Sequence, residues 1–325
     1  MHVLSHSEVE ELLDLDALLD ALAAAHAALS AGDASLPPRV AAFAGADGLL
    51  GAMPGYLPPG LGSSGAGGVL GCKLVSVFPE NADRPSHQAL IALFDPQTGT
   101  PIALMDGTYV TATRTAGAAA LAARLLARPD ARVLAVLGTG VQAQAHIRAF
   151  RGIRDWAEIR VAGRDPAKAD ALAAELGVQA APSFEDAVRE ADVVAATTHS
   201  PEPVVRADWV APGTHVGSVG YAAPGAELDP ELVRAAHVLA VESRESAFSP
   251  APAGAPELAG VEPGRAVELG ELVAGTRPGR TSSEEVTVYK SVGVAVQDLA
   301  AAALVLDAAR RRGAGHEIEL EEVIA

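Results

Sequence analysis

The chain has 325 residues, 49% hydrophobic and 20% charged, the balance of a globular protein with length for about two domains and a sizeable core. Asp and Glu number 41 against 24 Lys and Arg, and the net charge of −17 argues against nucleic acid or an anionic membrane surface as a partner. The single cysteine, Cys72, rules out an internal disulfide and reads as a small buried hydrophobe.

The start, MHVLSHSEVEELL, is acidic and amphipathic and does not read as a secretion signal; with no apolar run long enough to span a bilayer, a cytoplasmic location is expected. Ser7 to Glu10 fits a capping box. Leu12, Leu15, Leu18, Leu19 and Leu22 then recur at helical spacing, until Gly32 and Pro37-Pro38 stop the helix. Residues 45–68 form a Gly- and Pro-rich stretch with strands expected on either side. Val69 to Phe78 reads as a strand carrying Lys73, and Ala89 to Asp95 with Pro101 to Asp106 as a hairpin. An Ala-rich helix is expected from Thr111, its N-cap, to Ala127, stopped by Pro129.

From Arg132 the pattern changes to strands alternating with helices. Strands are expected at 132–137, 159–162, 193–197 and 215–219, with helices at 142–150 and 166–176. This alternation implies a doubly wound parallel sheet. After a Pro- and Gly-rich stretch, 250–279, a strand at 286–289 leads into a long helix, 294–312. The expected fold is α/β: a Rossmann doubly wound parallel sheet inserted in a second, α+β domain. The expected domains are 1–125, then 126–300 for dinucleotide binding, then a return to the first domain over 301–325.

Gly138-x-Gly140-x-x-Ala143 follows a strand and opens a helix. The first glycine permits a tight turn, the second admits a pyrophosphate to the backbone, and the small third residue lets helix pack on strand. The helix start supplies unpaired N–H groups and partial positive charge. Gly138, Thr139, Gly140, Val141 and Gln142 are therefore expected to bind the cofactor phosphates. At the end of the second strand, NAD enzymes place an acid for the ribose 2′-hydroxyl. This chain has Arg164 there, suited to a 2′-phosphate, so NADP(H) is favoured over NAD(H). Asp165 either caps the next helix before Pro166 or, turned inward, restores NAD. Thr197, Thr198 and Ser218, at strand ends, are expected to line the cofactor.

Arg39, Lys73 and Arg114 lie outside this segment among apolar or small residues. A Lys in an apolar strand is costly unless an anion pairs with it. Spacing alone leaves Arg39 as a solvated loop residue, Lys73 on a solvent face, or Arg114 paired with Asp106. His87, His199 and His215 have no metal-ligand spacing, and no metal is expected.

The stretches 71–81 (GCKLVSVFPEN), 95–101 (DPQTGTP), 111–116 (TATRTA), 138–143 (GTGVQA), 288–293 (VYKSVG) and 297–299 (QDL) together resemble the ornithine cyclodeaminase/mu-crystallin family, nearly end to end. The resemblance implies a homodimer with a Rossmann domain and a second domain for dimerisation and substrate binding. It implies that Arg39, Lys73 and Arg114 bind the substrate carboxylate, with Lys73 and Arg114 at the reacting centre. It also implies hydride transfer to or from a small amino or imino acid, most simply reduction of a cyclic or N-substituted 2-imino acid. Ornithine cyclodeaminase, an alanine-type dehydrogenase and an NADP-gated ligand-binding protein are the alternatives. Cyclodeaminases of the family carry an acid/base Asp in a Gly-Asp-x-Pro-Gly segment; residues 220–225 here read GYAAPG, with Ala222 in its place. Glu227 and Asp229 match an ordinary family stretch and are read as solvated or structural.

Overall fold

The first helices start at Ser5 and Asp14, not at Ser7. In the computed structural model, which describes residues 1–45, 48–60, 67–81, 83–222, 224–250 and 253–320, strand β1 (His2–Leu4) leads into helix α1 (His6–Leu12). Ser5 caps the Glu8 N–H while the Glu8 carboxylate accepts from Ser5 N–H, a reciprocal pair two residues earlier than expected. Asp14 caps a second helix, α2 (Leu15–Ala31), through Ala17 N–H. The leucine series therefore spans two helices, interrupted by extended backbone at Leu13 and Asp14.

Strands β2 (Val40–Ala44), β3 (Gly48–Leu57), β4 (Val69–Val77), β5 (His87–Phe94) and β6 (Pro101–Asp106) follow, then helix α3 (Thr108–Leu126). Strand β3 lies inside the Gly- and Pro-rich stretch, where no strand is expected. Its pattern holds because alternate positions such as Met53 and Leu57 are buried. Parts of that stretch and of 250–279, together with Ala223, lie outside the described residues. Helix α3 starts one turn before Thr111, because Asp106 accepts from Tyr109 N–H and so caps it. The Thr111 hydroxyl instead donates to Gly107 O inside the first turn.

The alternating region supplies β7 (Val133–Leu137), α4 (Val141–Ile153), β8 (Glu158–Ala162), α5 (Pro166–Leu176), β9 (Gln179–Ala180), α6 (Phe184–Val188), β10 (Val193–Ala196), β11 (His215–Ser218), α7 (Pro230–Ala235), β12 (Val238–Val241), α8 (Arg244–Ala247), β13 (Val267–Glu268), α9 (Leu269–Val273) and β14 (Thr287–Lys290). Helix α10 (Ala295–Arg312) and strand β15 (His316–Glu317) follow.

The chain divides into two compact units, Met1–Arg114 with Val294–Ala325, and Thr115–Gly293. Both boundaries fall earlier than 125/126 and 300/301. Helix α10 accounts for the second: it packs along its length on α2, β3, β4 and β5, so all of it goes with the first unit.

In the first unit a seven-stranded sheet has the order β15-β1-β6-β5-β4-β3-β2. Strands β2 to β6 form an antiparallel meander, and β1 adds parallel to β6. One face carries Met53, Lys73, Ile91 and Met105 in register, all buried, and α10 packs there. Pairing is two-residue periodic, so Ala52, Leu74 and Leu90 point to the other face. That face exposes Val40, Leu50, Leu74 and Leu90. Cys72 shares this face and is half-buried rather than a core residue.

In the second unit an eight-stranded sheet has the order β13-β12-β14-β11-β10-β7-β8-β9, with every pairing parallel. β10, β11, β12 and β14 are buried at every position, as a sheet covered by helices on both faces requires. Strand order reverses between β7 and β10, which makes the carboxyl ends of these two strands the topological switch point, where ligands bind in such sheets. Among the described residues, no helix is long and apolar enough to cross a membrane.

Candidate active site

In the first unit, β4, α3 and α10 bring three charged side chains together in the interior. Lys73, Arg114 and Asp298 are 2%, 4% and 0% exposed. Lys73 Nζ lies 3.0 Å from both carboxylate oxygens of Asp298. Arg114 Nε donates to Asp298 Oδ1 at 2.9 Å, and its terminal nitrogen donates to Gln297 Oε1. Among the described residues Asp298 Oδ2 receives no directed hydrogen bond, and its contact with Lys73 is an ion pair. Arg114 thus pairs with Asp298, not Asp106, whose carboxylate caps α3 and meets His6 instead. Behind the cluster, Gln297 also accepts from Val294 N–H, which turns its amide nitrogen toward His26 at 3.0 Å.

Burial holds Lys73 down at about 8 from its usual 10.5; the Arg114 charge adds to this, Asp298 opposes it, and Arg39 contributes a smaller depression. Arg39, half-buried just before β2, is therefore near enough for its charge to act on Lys73. Two buried cations, Lys73 and Arg114, share one buried carboxylate. Two buried charges held against one are costly, and a further anion between them would offset that cost. The three basic residues singled out in the sequence share one locale; Asp298 and Gln297, which organise them, were not among the expected site residues. Their signal was two polar residues in an otherwise apolar stretch of α10, flanked by Val296 and Leu299.

In the second unit, Gly138 follows β7 with φ +126°, a conformation that favours glycine. A Cβ at this position would lie 2.7 Å from Thr197 Oγ1 and 3.0 Å from Thr197 O, so the loop also approaches the end of β10 too closely for a side chain. Gly140 is the N-cap of α4 and provides no side-chain cap, leaving the first N–H groups of that helix to another partner. Ala143 is fully buried, and Val141 is 67% exposed at the helix start. Among the described residues the buried Gln142 side-chain oxygen has no hydrogen-bond partner; as an acceptor it calls for a donor, which a phosphate oxygen is not. An uncapped helix start beside an exposed Val fits a dinucleotide pyrophosphate.

Arg164, after β8, is exposed. Asp165 is the N-cap of α5 and accepts from Ala167 N–H at 3.0 Å, the capping alternative of the two open in the sequence. Thr197 donates its hydroxyl to Leu137 O. Thr198 and Ser218 both donate to Glu227. Ser218 is fully buried, which corrects its expected place in the lining: its hydroxyl accepts from Lys290 and is covered. Glu227 is 2% exposed and accepts four hydrogen bonds, from Thr198 N–H, Thr198 Oγ, Ser218 Oγ and Gly220 N–H. The reading of Glu227 as structural rather than catalytic agrees with this, although it is not solvated. Lys290, Glu257 and Glu242, all buried, were not anticipated. Glu242 holds Ser291, Val292 and Gly293 through Ser291 Oγ and two backbone N–H groups. His215 is buried and held neutral, its pKa pushed down to about 3 by desolvation. Among the described residues, no group of three or more His, Cys, Asp or Glu is placed to hold a metal.

Comparison with known proteins bears on both units. The family model described as "Ornithine cyclodeaminase/mu-crystallin family" matches residues 1–313. Ketimine reductase mu-crystallin of Mus musculus is 41% identical over 265 residues, covering 80% of each chain. The Delta(1)-pyrroline-2-carboxylate reductase of Thermococcus litoralis, solved with NADH and L-proline, has a TM-score of 0.89 at 33% identity, covering 98% of this chain and 100% of that one. An archaeal alanine dehydrogenase dimer with bound NAD has the same TM-score and identity, covering 99% of each chain. The phosphate loop, the Lys73–Arg114–Asp298 cluster and a match over almost the whole length converge on one lineage: this chain belongs to the ornithine cyclodeaminase/mu-crystallin family.

Proposed function

We propose that this protein is an NAD(P)H-dependent oxidoreductase that reduces a cyclic or N-substituted 2-imino acid to the corresponding L-amino acid. The observation that carries this is that two buried cations, Lys73 and Arg114, share the one Asp298 carboxylate, with the Arg39 charge close enough to act on Lys73. A substrate carboxylate supplies a second anion to the buried pair. Held by charge-assisted bonds from Lys73 and Arg114, it fixes the orientation of the adjacent C=N carbon, and orientation is a large part of the rate in such a step. Asp298 keeps both cations in place and prevents them from diverging. A reduced nicotinamide, when bound, would supply a hydride to the C=N carbon; the imine nitrogen enters already protonated, as an iminium, so that hydride addition gives CH–NH.

The ketimine reductase and the pyrroline-2-carboxylate reductase among the relatives support this reading. Cyclodeamination is disfavoured by Ala222, which cannot transfer a proton. The nearby Glu227 does not replace the missing acid, because its oxygens are occupied from inside by four donors.

NADP(H) is the proposed preference. Arg164 is exposed at the end of β8, and Asp165 is engaged as a helix cap rather than free to take a ribose 2′-hydroxyl. The two solved relatives hold NADH and NAD, so this preference rests on Arg164. The proposed assembly is a homodimer, supported by the alanine dehydrogenase dimer and by the exposed Val40, Leu50, Leu74 and Leu90 on the open sheet face.

The test follows NADPH and NADH oxidation with pyrroline-2-carboxylate, piperideine-2-carboxylate and 2-oxo acids plus amines. Turnover of a 2-imino acid is expected; no oxidation with any of them overturns the function. Arg164→Ala is expected to raise the KM for NADPH about tenfold or more while leaving that for NADH unchanged, from loss of a charged hydrogen bond. An NADH preference in the unaltered protein overturns the cofactor assignment alone.

A further inference from the structure

A buried polar network ties together the carboxyl ends of three neighbouring strands of the second unit. Lys290, on β14, donates to Ser218 Oγ at 3.0 Å and Gly220 O at 2.6 Å, and pairs with Glu257 at 2.9 Å. Glu257 also accepts from Glu227 N–H. Glu227 in turn latches Thr198, after β10, to Ser218 and Gly220, at and after the end of β11. A Cβ at residue 220 would lie 2.1 Å from Thr198 O and 2.5 Å from Glu227 Oε1, so this junction closes only around glycine.

The network fixes the direction of a hydrogen bond. A threonine hydroxyl has one hydrogen to donate and two lone pairs. An ionised carboxylate only accepts. Thr198 Oγ1 lies 2.6 Å from Glu227 Oε1, so its hydrogen is spent there and the oxygen offers only lone pairs outward. Thr198 is half-buried, whereas Ser218, bound to the same carboxylate, is fully covered. Thr198 is also adjacent to Thr197, which the phosphate-loop glycine Gly138 approaches.

We propose that Thr198 determines specificity for the nicotinamide ring: its oxygen, polarised by Glu227, accepts a hydrogen bond from the ring's carboxamide NH2 and discriminates against rings whose substituent has no donor. This rests on the cofactor-site reading above. Glu227 and Lys290 act through Thr198 as positioning residues. They prevent its hydroxyl from rotating to become a donor.

The experiment measures equilibrium binding by calorimetry, without substrate. The ligands are NAD+ or NADP+, whichever binds more tightly, and its 3-acetylpyridine analogue, which keeps the ring carbonyl and lacks the NH2. The unaltered protein is expected to bind the natural cofactor about tenfold more tightly than the analogue. Thr198→Val is expected to bind the two equally, and Thr198→Ser to keep the preference. Glu227→Gln is expected to reduce it, because the new amide places a donor in the latch. A Thr198→Val variant that weakens both ligands alike and keeps their ratio overturns the proposal, as does equal binding by the unaltered protein. If Thr198→Val does not fold, loss of the preference in Thr198→Ser overturns it. Binding of neither NAD+ nor NADP+ overturns the cofactor-site reading itself, a result distinct from an unchanged ratio.

Discussion

Lys73 is expected to impose a pH limit on substrate capture that Lys73→Arg removes. In the free protein its ammonium is fully inside, beside Arg114, and titrates at about 8. Below that pH the side chain is charged and helps to hold a carboxylate; above it the neutral amine attracts the anion only weakly. Because kcat/KM reports the free enzyme, it is expected to fall by about tenfold per unit above this pKa. A bound carboxylate favours the charged amine, so the fall in kcat is displaced to higher pH. Arginine stays charged throughout this range. The Lys73→Arg variant is therefore expected to lose the limb near pH 8, even if its geometry lowers kcat/KM overall. Titration of the imine substrate itself appears equally in both proteins, so the difference between the two profiles isolates Lys73. A Lys73→Arg profile that falls with the same midpoint as the unaltered protein refutes the reasoning.

The same depressed pKa has a consequence for stability with the opposite sign to an ordinary ion pair. The folded pKa of about 8 lies below the reference of 10.5, so the unfolded chain binds more protons between these values. Stability contributed by this group therefore rises with pH across that window. The cost of keeping Lys73 charged, fully present below pH 8, is on the order of 3 kcal/mol. Denaturant midpoints of the unaltered protein and Lys73→Met are expected to converge as pH rises from 8 toward 10.5, with Lys73→Met the more stable at pH 7. A midpoint for Lys73→Met well below that of the unaltered protein at pH 7 contradicts this.

Asp298→Ala leaves Lys73 and Arg114 facing each other and is expected to cost about 3–5 kcal/mol of stability. Saturating L-proline should then raise its Tm more than that of the unaltered protein, and an equal shift in both counts against carboxylate binding at this cluster. Gly138→Ala combines a φ of +126° with a Cβ 2.7 Å from Thr197 Oγ1 and is expected to cost about 1–3 kcal/mol and to weaken cofactor binding. An unchanged Tm together with an unchanged Kd for NADPH refutes the close approach. A double variant, Leu50→Asp with Leu74→Asp, places charge on the open sheet face and is expected to convert a dimer to a monomer in light scattering, while a dimer that persists assigns assembly to another surface.

The phosphate loop was legible because its parts are contiguous: one strand, two glycines and one helix start lie within residues 133–153. Parallel topology was legible for a related reason, since strands buried on both faces write uninterrupted apolar runs such as residues 133–137 and 193–196. Helix starts were less so. Ser5 with Glu8 and Ser7 with Glu10 offer the same spacing, and only the packed chain selects between them. Strand β3 was hidden because its glycines and proline carry turn propensity, which pairing on both sides overrides.

The sequence by itself determined the strand–glycine–helix loop at Gly138 and Gly140, the parallel sheet and the presence of cations in apolar settings, because each is a property of a few neighbouring residues. It did not determine their partners. Lys73 meets Asp298 across 225 residues, and Arg114 meets it across 184. Periodicity assigns a side chain to a face of its strand or helix, but the identity of the group opposite depends on how β4, α3 and α10 pack. The same holds for Glu227, which the sequence leaves as either solvated or structural. Only the folded sheet brings Thr198, Ser218 and Gly220 around it, and that enclosure makes it the latch at the ends of β10 and β11.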